Sequence, residues 1–104
     1  MLDTEKLKEQ VIEKIKTIFD PELPVNIYDL GLIYEVNILP INNVQVVMTL
    51  TAPGCPAAQT LPVEVDQKLR EIDGVNDVHV AVTWTPKWEK SMMSEVAALE
   101  LGFM

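Results

Sequence analysis

The apolar pattern of this 104-residue chain predicts an α+β domain. It would be a two-layer sandwich of order α-β-β-α-β-α, with a three-stranded mixed sheet and its helices on one face. Three observations carry this. Three segments have helical spacing and three alternate with period two. Each alternating segment has one apolar and one mostly polar face, so one face alone needs covering. A helical segment joins the second and third strands, which makes that pair a parallel crossover. No repeat, low-complexity stretch or linker interrupts the chain, so residues 1–104 read as a single domain.

Asp3 or Thr4 caps the first helix, and Leu7, Val11, Ile12, Ile15, Ile18 and Phe19 form its stripe. Pro21 disfavours helical geometry at Asp20, so this helix is expected over about 4–19. Two prolines then stiffen the stretch Asp20 to Gly31. Within it, Asn26 and Asp29 have capping spacing and Gly31 suits a helix C′ position, which predicts one helical turn at 27–30.

In the strand read from Leu32 to Leu39, Leu32, Tyr34, Val36 and Ile38 share a face. In the next, Val44 to Thr51, Val44, Val46, Met48 and Leu50 do so, with Gln45, Val47, Thr49 and Thr51 opposite. Pro40 to Asn43 is short enough for a hairpin. The second helix covers about 56–72, with Ala58, Leu61, Val65, Leu69 and Ile72 as its stripe and a kink expected at Pro62. The third strand runs from about Val75 to Thr83, and His79 lies on its exposed face. A loop at 85–90 and a last helix over 95–101, capped by Ser94, complete the chain.

The formal charge is −8, and the lysines between Lys6 and Lys16 alternate with Glu5, Glu9 and Glu13. Phosphate contacts need clustered basic residues, so nucleic acid is excluded as a partner. No apolar run approaches about 18 residues, which argues against a membrane span. The start of the chain is polar and acidic, unlike a secretory signal, and a lone cysteine forms no internal disulfide. A cytoplasmic protein is expected.

Cys55 follows a strand end and a Pro53-Gly54 turn, and it precedes Pro56, which suits the first position of a helix. A thiol at a helix N-terminus is favoured as thiolate; a buried, inert cysteine is the alternative. Sites in α/β structures form beyond the carboxyl ends of parallel strands. Three segments should therefore meet at one edge: Asp20 to Gly31, Thr51 to Pro56, and Trp84 to Trp88. Asp20 and Glu22 are candidate acid, base or metal-binding carboxylates there, or a turn cap and a solvated acid. Thr51 either steadies the Cys55 loop or faces solvent. Trp84 and Trp88 either anchor a partner or fill the end of the core. One Cys and one distant His make neither a zinc site nor a stable iron–sulfur cluster within one chain.

The segments Asp20-Pro21-Glu22-Leu23-Pro24-Val25, Tyr28 to Tyr34 and Met48 to Pro56 resemble the signatures of the iron–sulfur assembly domain family that contains SufT and the PaaD subunits. The stretch from Trp84 to Trp88 and the ending from Met93 to Gly102 resemble that family's tail. The resemblance implies an accessory role in iron–sulfur cluster assembly or protein maturation, in the cytoplasm. It maps the family's cysteine onto Cys55, its acids onto Asp20 and Glu22, and its strand-end threonine onto Thr51. Cys55 would hold an iron or a transient iron–sulfur cluster with ligands from a partner. The implied partners are iron–sulfur scaffold, carrier or client proteins. No cysteine-rich segment precedes Met104, which points to the SufT-like branch rather than to a PaaD-like oxygenase accessory subunit. A thiol enzyme and a pure interaction module are the rival readings. The weakly polar second sheet face and a free edge strand would support a homodimer.

Overall fold

A computed structural model describes residues 4–21, 23–51 and 57–102 of the chain. Helix α1 is Thr4–Ile15, strand β1 Ile33–Leu39, strand β2 Asn43–Met48, helix α2 Ala57–Arg70, strand β3 Asp77–Val82 and helix α3 Glu95–Glu100. The sheet order is β1-β2-β3, with β1 antiparallel and β3 parallel to β2. This is the expected α+β sandwich. Its core joins Val11 and Ile15 of α1, Leu61, Val65 and Leu69 of α2, and the sheet residues Val36, Val44, Val46, Met48 and Val78. Burying a side chain of this size is worth about 1.5–3 kcal/mol each, so this stripe-to-sheet contact dominates stability.

Helix α1 ends four residues earlier than its apolar stripe suggests. The amides of Thr17 and Ile18 bond three residues back, to Lys14 and Ile15, and the Thr17 hydroxyl also donates to the Lys14 carbonyl at 2.6 Å. That tight turn releases the chain into an extended path. Phe19 forms an isolated antiparallel bridge with Asn26, and Ile27 N–H donates to the Ile18 carbonyl at 2.9 Å. Ile18 is still fully buried, but Phe19 is 55 % exposed and leaves the core. Lys16 stands over the Tyr28 ring, 5.3 Å from its centre, and ties this turn to the following loop.

The turn at 27–30 forms as expected. The Asn26 side chain accepts from the Asp29 amide at 2.9 Å and donates to the Asp29 carboxylate at 2.7 Å. Leu32 N–H donates to the Ile27 carbonyl and Gly31 N–H to the Tyr28 carbonyl, with Gly31 at φ +84°. This pair of bonds is a Schellman motif, and the apolar contact it favours joins the buried Ile27 and Leu32.

Strand β1 departs from simple alternation. Ile33 pairs with Met48 but Glu35 with Val47, so Tyr34 is an extra residue opposite β2. Such a bulge breaks the period of two. Tyr34, expected on the core face with Leu32 and Val36, instead donates its hydroxyl to the Pro86 carbonyl at 2.8 Å. Strand β2 also ends earlier than its pattern suggests. Thr49 and Leu50 are both buried, which an alternating strand would not allow. Helix α2 runs through Pro62 as one element.

The free edge of β3 is partly closed. Thr83 N–H donates to the Met48 carbonyl, so odd-numbered β3 residues turn their backbone groups toward β2 and Val78 turns its own outward. The Asp77 carboxylate accepts from the Val78 amide at 2.9 Å, and the Arg70 guanidinium donates to the Val78 carbonyl at 3.0 Å. Arg70 also pairs with Asp66 at 2.6 Å and Asp77 at 2.9 Å. These side chains blunt the strand edge against unintended pairing.

The Val78 amide, and then Arg70, hold the Asp77 carboxyl below its usual pKa. A depressed carboxyl stabilises the fold above its unfolded-state pKa of about 3.9, and that contribution is lost as pH falls through the lower folded value. Asp77→Asn should therefore lower the urea midpoint at pH 6, and the gap to the unmodified protein should close below about pH 4. A gap that stays constant from pH 6 to pH 3 would exclude this linkage.

Candidate functional site

The site is positioned by the end of β2. Thr49 N–H donates to the Leu32 carbonyl at 2.8 Å on one side, and Thr83 N–H donates to the Met48 carbonyl at 2.8 Å on the other. The chain that leads to Cys55 therefore departs between the exit of the 20–31 loop and the end of β3. Two of the three expected segments meet directly. The Trp88 indole N–H donates to the Leu30 carbonyl at 2.8 Å, and Ser94 N–H donates to the Asp29 carbonyl at 2.8 Å. Residues 83–94 thus form a strap over the loop, fastened at Trp88 and Ser94.

Cys55 and Glu22 lie outside the described residues. Asp20 is 5 % exposed, and its carboxylate accepts from Leu23 N–H at 3.1 Å. Asp20 N–H in turn donates to the Val25 carbonyl at 3.3 Å. A buried acid used this way braces the backbone that follows it. Thr51 is half-buried and is the last described residue before Cys55.

The two tryptophans separate. Trp88 packs against the core and uses its N–H within the fold, while Trp84 is 44 % exposed. His79 is exposed in mid-strand opposite Gln45, away from this edge. Among the described residues no group of three or more His, Cys, Asp and Glu side chains could hold a metal ion. None of the described helices is long and apolar enough to cross a membrane.

Sequence reasoning missed Thr49. It is fully buried, and its hydroxyl has no hydrogen-bond partner among the described residues. An unpaired buried hydroxyl costs about 1–3 kcal/mol. The sequence carries no signal for it, because Thr49 keeps the alternation of Gln45 and Val47, and the run of three buried residues Met48, Thr49 and Leu50 emerges in the fold.

Sequence reasoning also missed a groove of about 680 Å³ on the outer sheet face, opposite the helices. Ile33, Tyr34, Glu35 and Val47 form its floor side, and the strap residues Thr83, Thr85, Pro86 and Met92 form the other wall. The Tyr34 bulge and the tie of its hydroxyl to Pro86 create this groove, and alternation alone could not have shown it.

Known proteins share this arrangement. The family model described as "Iron-sulfur cluster assembly protein" matches residues 8–82. A Fe-S protein maturation auxiliary factor of Porphyromonas gingivalis is 48 % identical over 97 residues, which is 93 % of this chain and 92 % of that protein. The Fe-S protein maturation auxiliary factor SufT of Staphylococcus aureus is 41 % identical over 82 % of this chain and 97 % of its own. Among solved structures, a domain of unknown function from Bacillus anthracis superposes with a TM-score of 0.89 at 36 % identity, covering 96 % of this chain and 95 % of that one. With a family model spanning most of its length and relatives this similar over nearly all of it, the chain belongs to the iron–sulfur cluster assembly protein family.

Proposed function

We propose that this protein is an accessory factor in the assembly of iron–sulfur clusters or the maturation of iron–sulfur proteins, acting through the Cys55 thiol and through protein partners. One observation carries the reading: the family match over residues 8–82, with maturation auxiliary factors as relatives over nearly the whole chain. Iron or a cluster is cargo here. The chain has one cysteine, and four thiolates are the usual complement of a cluster, so a scaffold, carrier or client must supply further ligands. Asp20 and Glu22 shape the approach to the thiol, and Thr51 steadies the loop. Trp84, the exposed tryptophan of the strap, is the better partner contact, since Trp88 is committed to Leu30. The setting is the cytoplasm, where a lone thiol stays reduced.

Cys55→Ser should leave thermal unfolding within about 2 °C of the unmodified protein, the scale of a tolerated substitution. In cells it should lower the specific activity of a client [4Fe–4S] enzyme, with a matching fall in the client's iron and sulfide per polypeptide. Unchanged client activity at equal abundance of the variant would remove the cysteine from the mechanism.

A further inference from the structure

We infer that the groove between strap and sheet is a docking site for a basic segment of a partner protein, which seats an arginine side chain flanked by apolar residues. The inference rests on the maturation role in one respect, that partners exist, and it names the chemistry by which one is held.

Charge complementarity selects this occupant. The groove is within the size range of ligand sites and its walls are largely apolar, from Ile33, Val47, Pro86 and Met92. Glu35 is the one charged side chain on its lining among the described residues. Among the described residues its carboxylate accepts one long 3.5 Å contact, from Asn37, which leaves acceptor positions open to the groove. The Tyr34 ring stands beside it, fixed by the bond its hydroxyl donates to the Pro86 carbonyl at 2.8 Å, with the Met92 sulfur 3.5 Å from the same oxygen. An apolar channel with one carboxylate and one aromatic face matches a guanidinium on an aliphatic stem. The stem covers apolar wall, the planar head stacks on the ring, and its paired N–H groups meet the carboxylate. Lysine carries the charge without the planar fork, and an acidic or neutral segment leaves Glu35 unpaired. A second copy of this chain is disfavoured, because each copy brings a net charge of −8.

The test is an NMR titration of the full chain with the pentapeptide acetyl-Gly-Leu-Arg-Leu-Gly-amide and with its glutamine counterpart. Binding on a scale up to about 10 mM suffices for a single side-chain contact. The arginine peptide should shift the methyl signals of Ile33, Val47 and Met92. It should bind about threefold more tightly than the glutamine peptide, the yield of one exposed ion pair. Glu35→Gln should remove that preference while leaving the fold's spectrum otherwise intact. The inference is overturned if no groove signal moves, if the largest shifts fall on Glu9 and Glu13 of α1, or if Glu35→Gln keeps the preference. No client enters the titration, so its failure leaves the maturation role standing. A failed Cys55→Ser test likewise leaves the groove standing.

Discussion

Replacing Gly31 by alanine should destabilise the protein by about 3 kcal/mol or more, a loss of at least roughly 12 °C in Tm for a domain of this size. Two costs add. Gly31 sits at φ +84°, in the region an L side chain enters only at about 1–2 kcal/mol. A Cβ there would also press into the backbone carbonyl of Met92, with the Met92 carbonyl carbon 2.9 Å away. Backbone does not yield as a flexible side chain does, so either the Schellman turn or the strap has to move. Gly102 provides the control. Its φ is +76°, and among the described residues nothing lies within 4 Å of an added Cβ. Gly102→Ala therefore carries the conformational cost alone. The difference between the two variants in urea unfolding isolates the contact with Met92, and equal losses would show that the strap does not rest on Gly31.

That contact marks a boundary between what the sequence could reveal and what it could not. Gly31 was legible as a helix C′ residue because the Asn26–Asp29 pair and the glycine have fixed local spacing, and local spacing is what a sequence displays. The three strands, their order and the parallel crossover were legible for the same reason. The early ends of α1 and β2 were not. The tight turn after Ile15 closes on the Thr17 hydroxyl and is fixed by the bridge from Ile27 to Ile18; beyond Met48 the ladder stops because Leu32 gives its N–H to Ile27 and returns no bond to Thr49. Periodicity carried on through Phe19 and Thr51 because nothing nearby in sequence contradicts it. The Tyr34 bulge is the sharpest example. One unpaired residue reverses the face of the side chain, and the resulting groove depends on Pro86, fifty-two positions away. At the site, convergence of the 20–31 and 84–88 segments followed from topology. The bonds that Asp20 makes to Leu23 and Trp88 to Leu30 did not, because the same residue types serve as a catalytic acid or a partner contact. Cys55 and Glu22 rest on motif and family alone.

Trp88→Ala should cost about 2–3 kcal/mol, or roughly 10–20 °C in Tm, and should loosen the strap before the sheet. The side chain does two things. Its ring packs against the core from a half-buried position, and its indole N–H satisfies the Leu30 carbonyl at 2.8 Å. Trp88→Phe separates them. Phenylalanine keeps most of the apolar contact and abandons the hydrogen bond, so it should lose only about 1 kcal/mol. The spatial pattern is the stronger test. If Trp88 fastens the strap to the loop, the Ser94 amide, which donates to Asp29 across the same junction, should exchange with solvent many-fold faster in Trp88→Ala. Amides of β2, paired on both sides within the sheet, should show only the global loss of stability. A uniform rise in exchange across Ser94 and β2 would mean that strap and core open as one unit. The strap carries one wall of the groove, so the same variant should also weaken the arginine peptide even where the domain stays folded. A strap that opens alone is one that a partner can tighten by binding, whereas a strap welded to the core gives the partner a rigid socket. The exchange pattern at Ser94 decides between them.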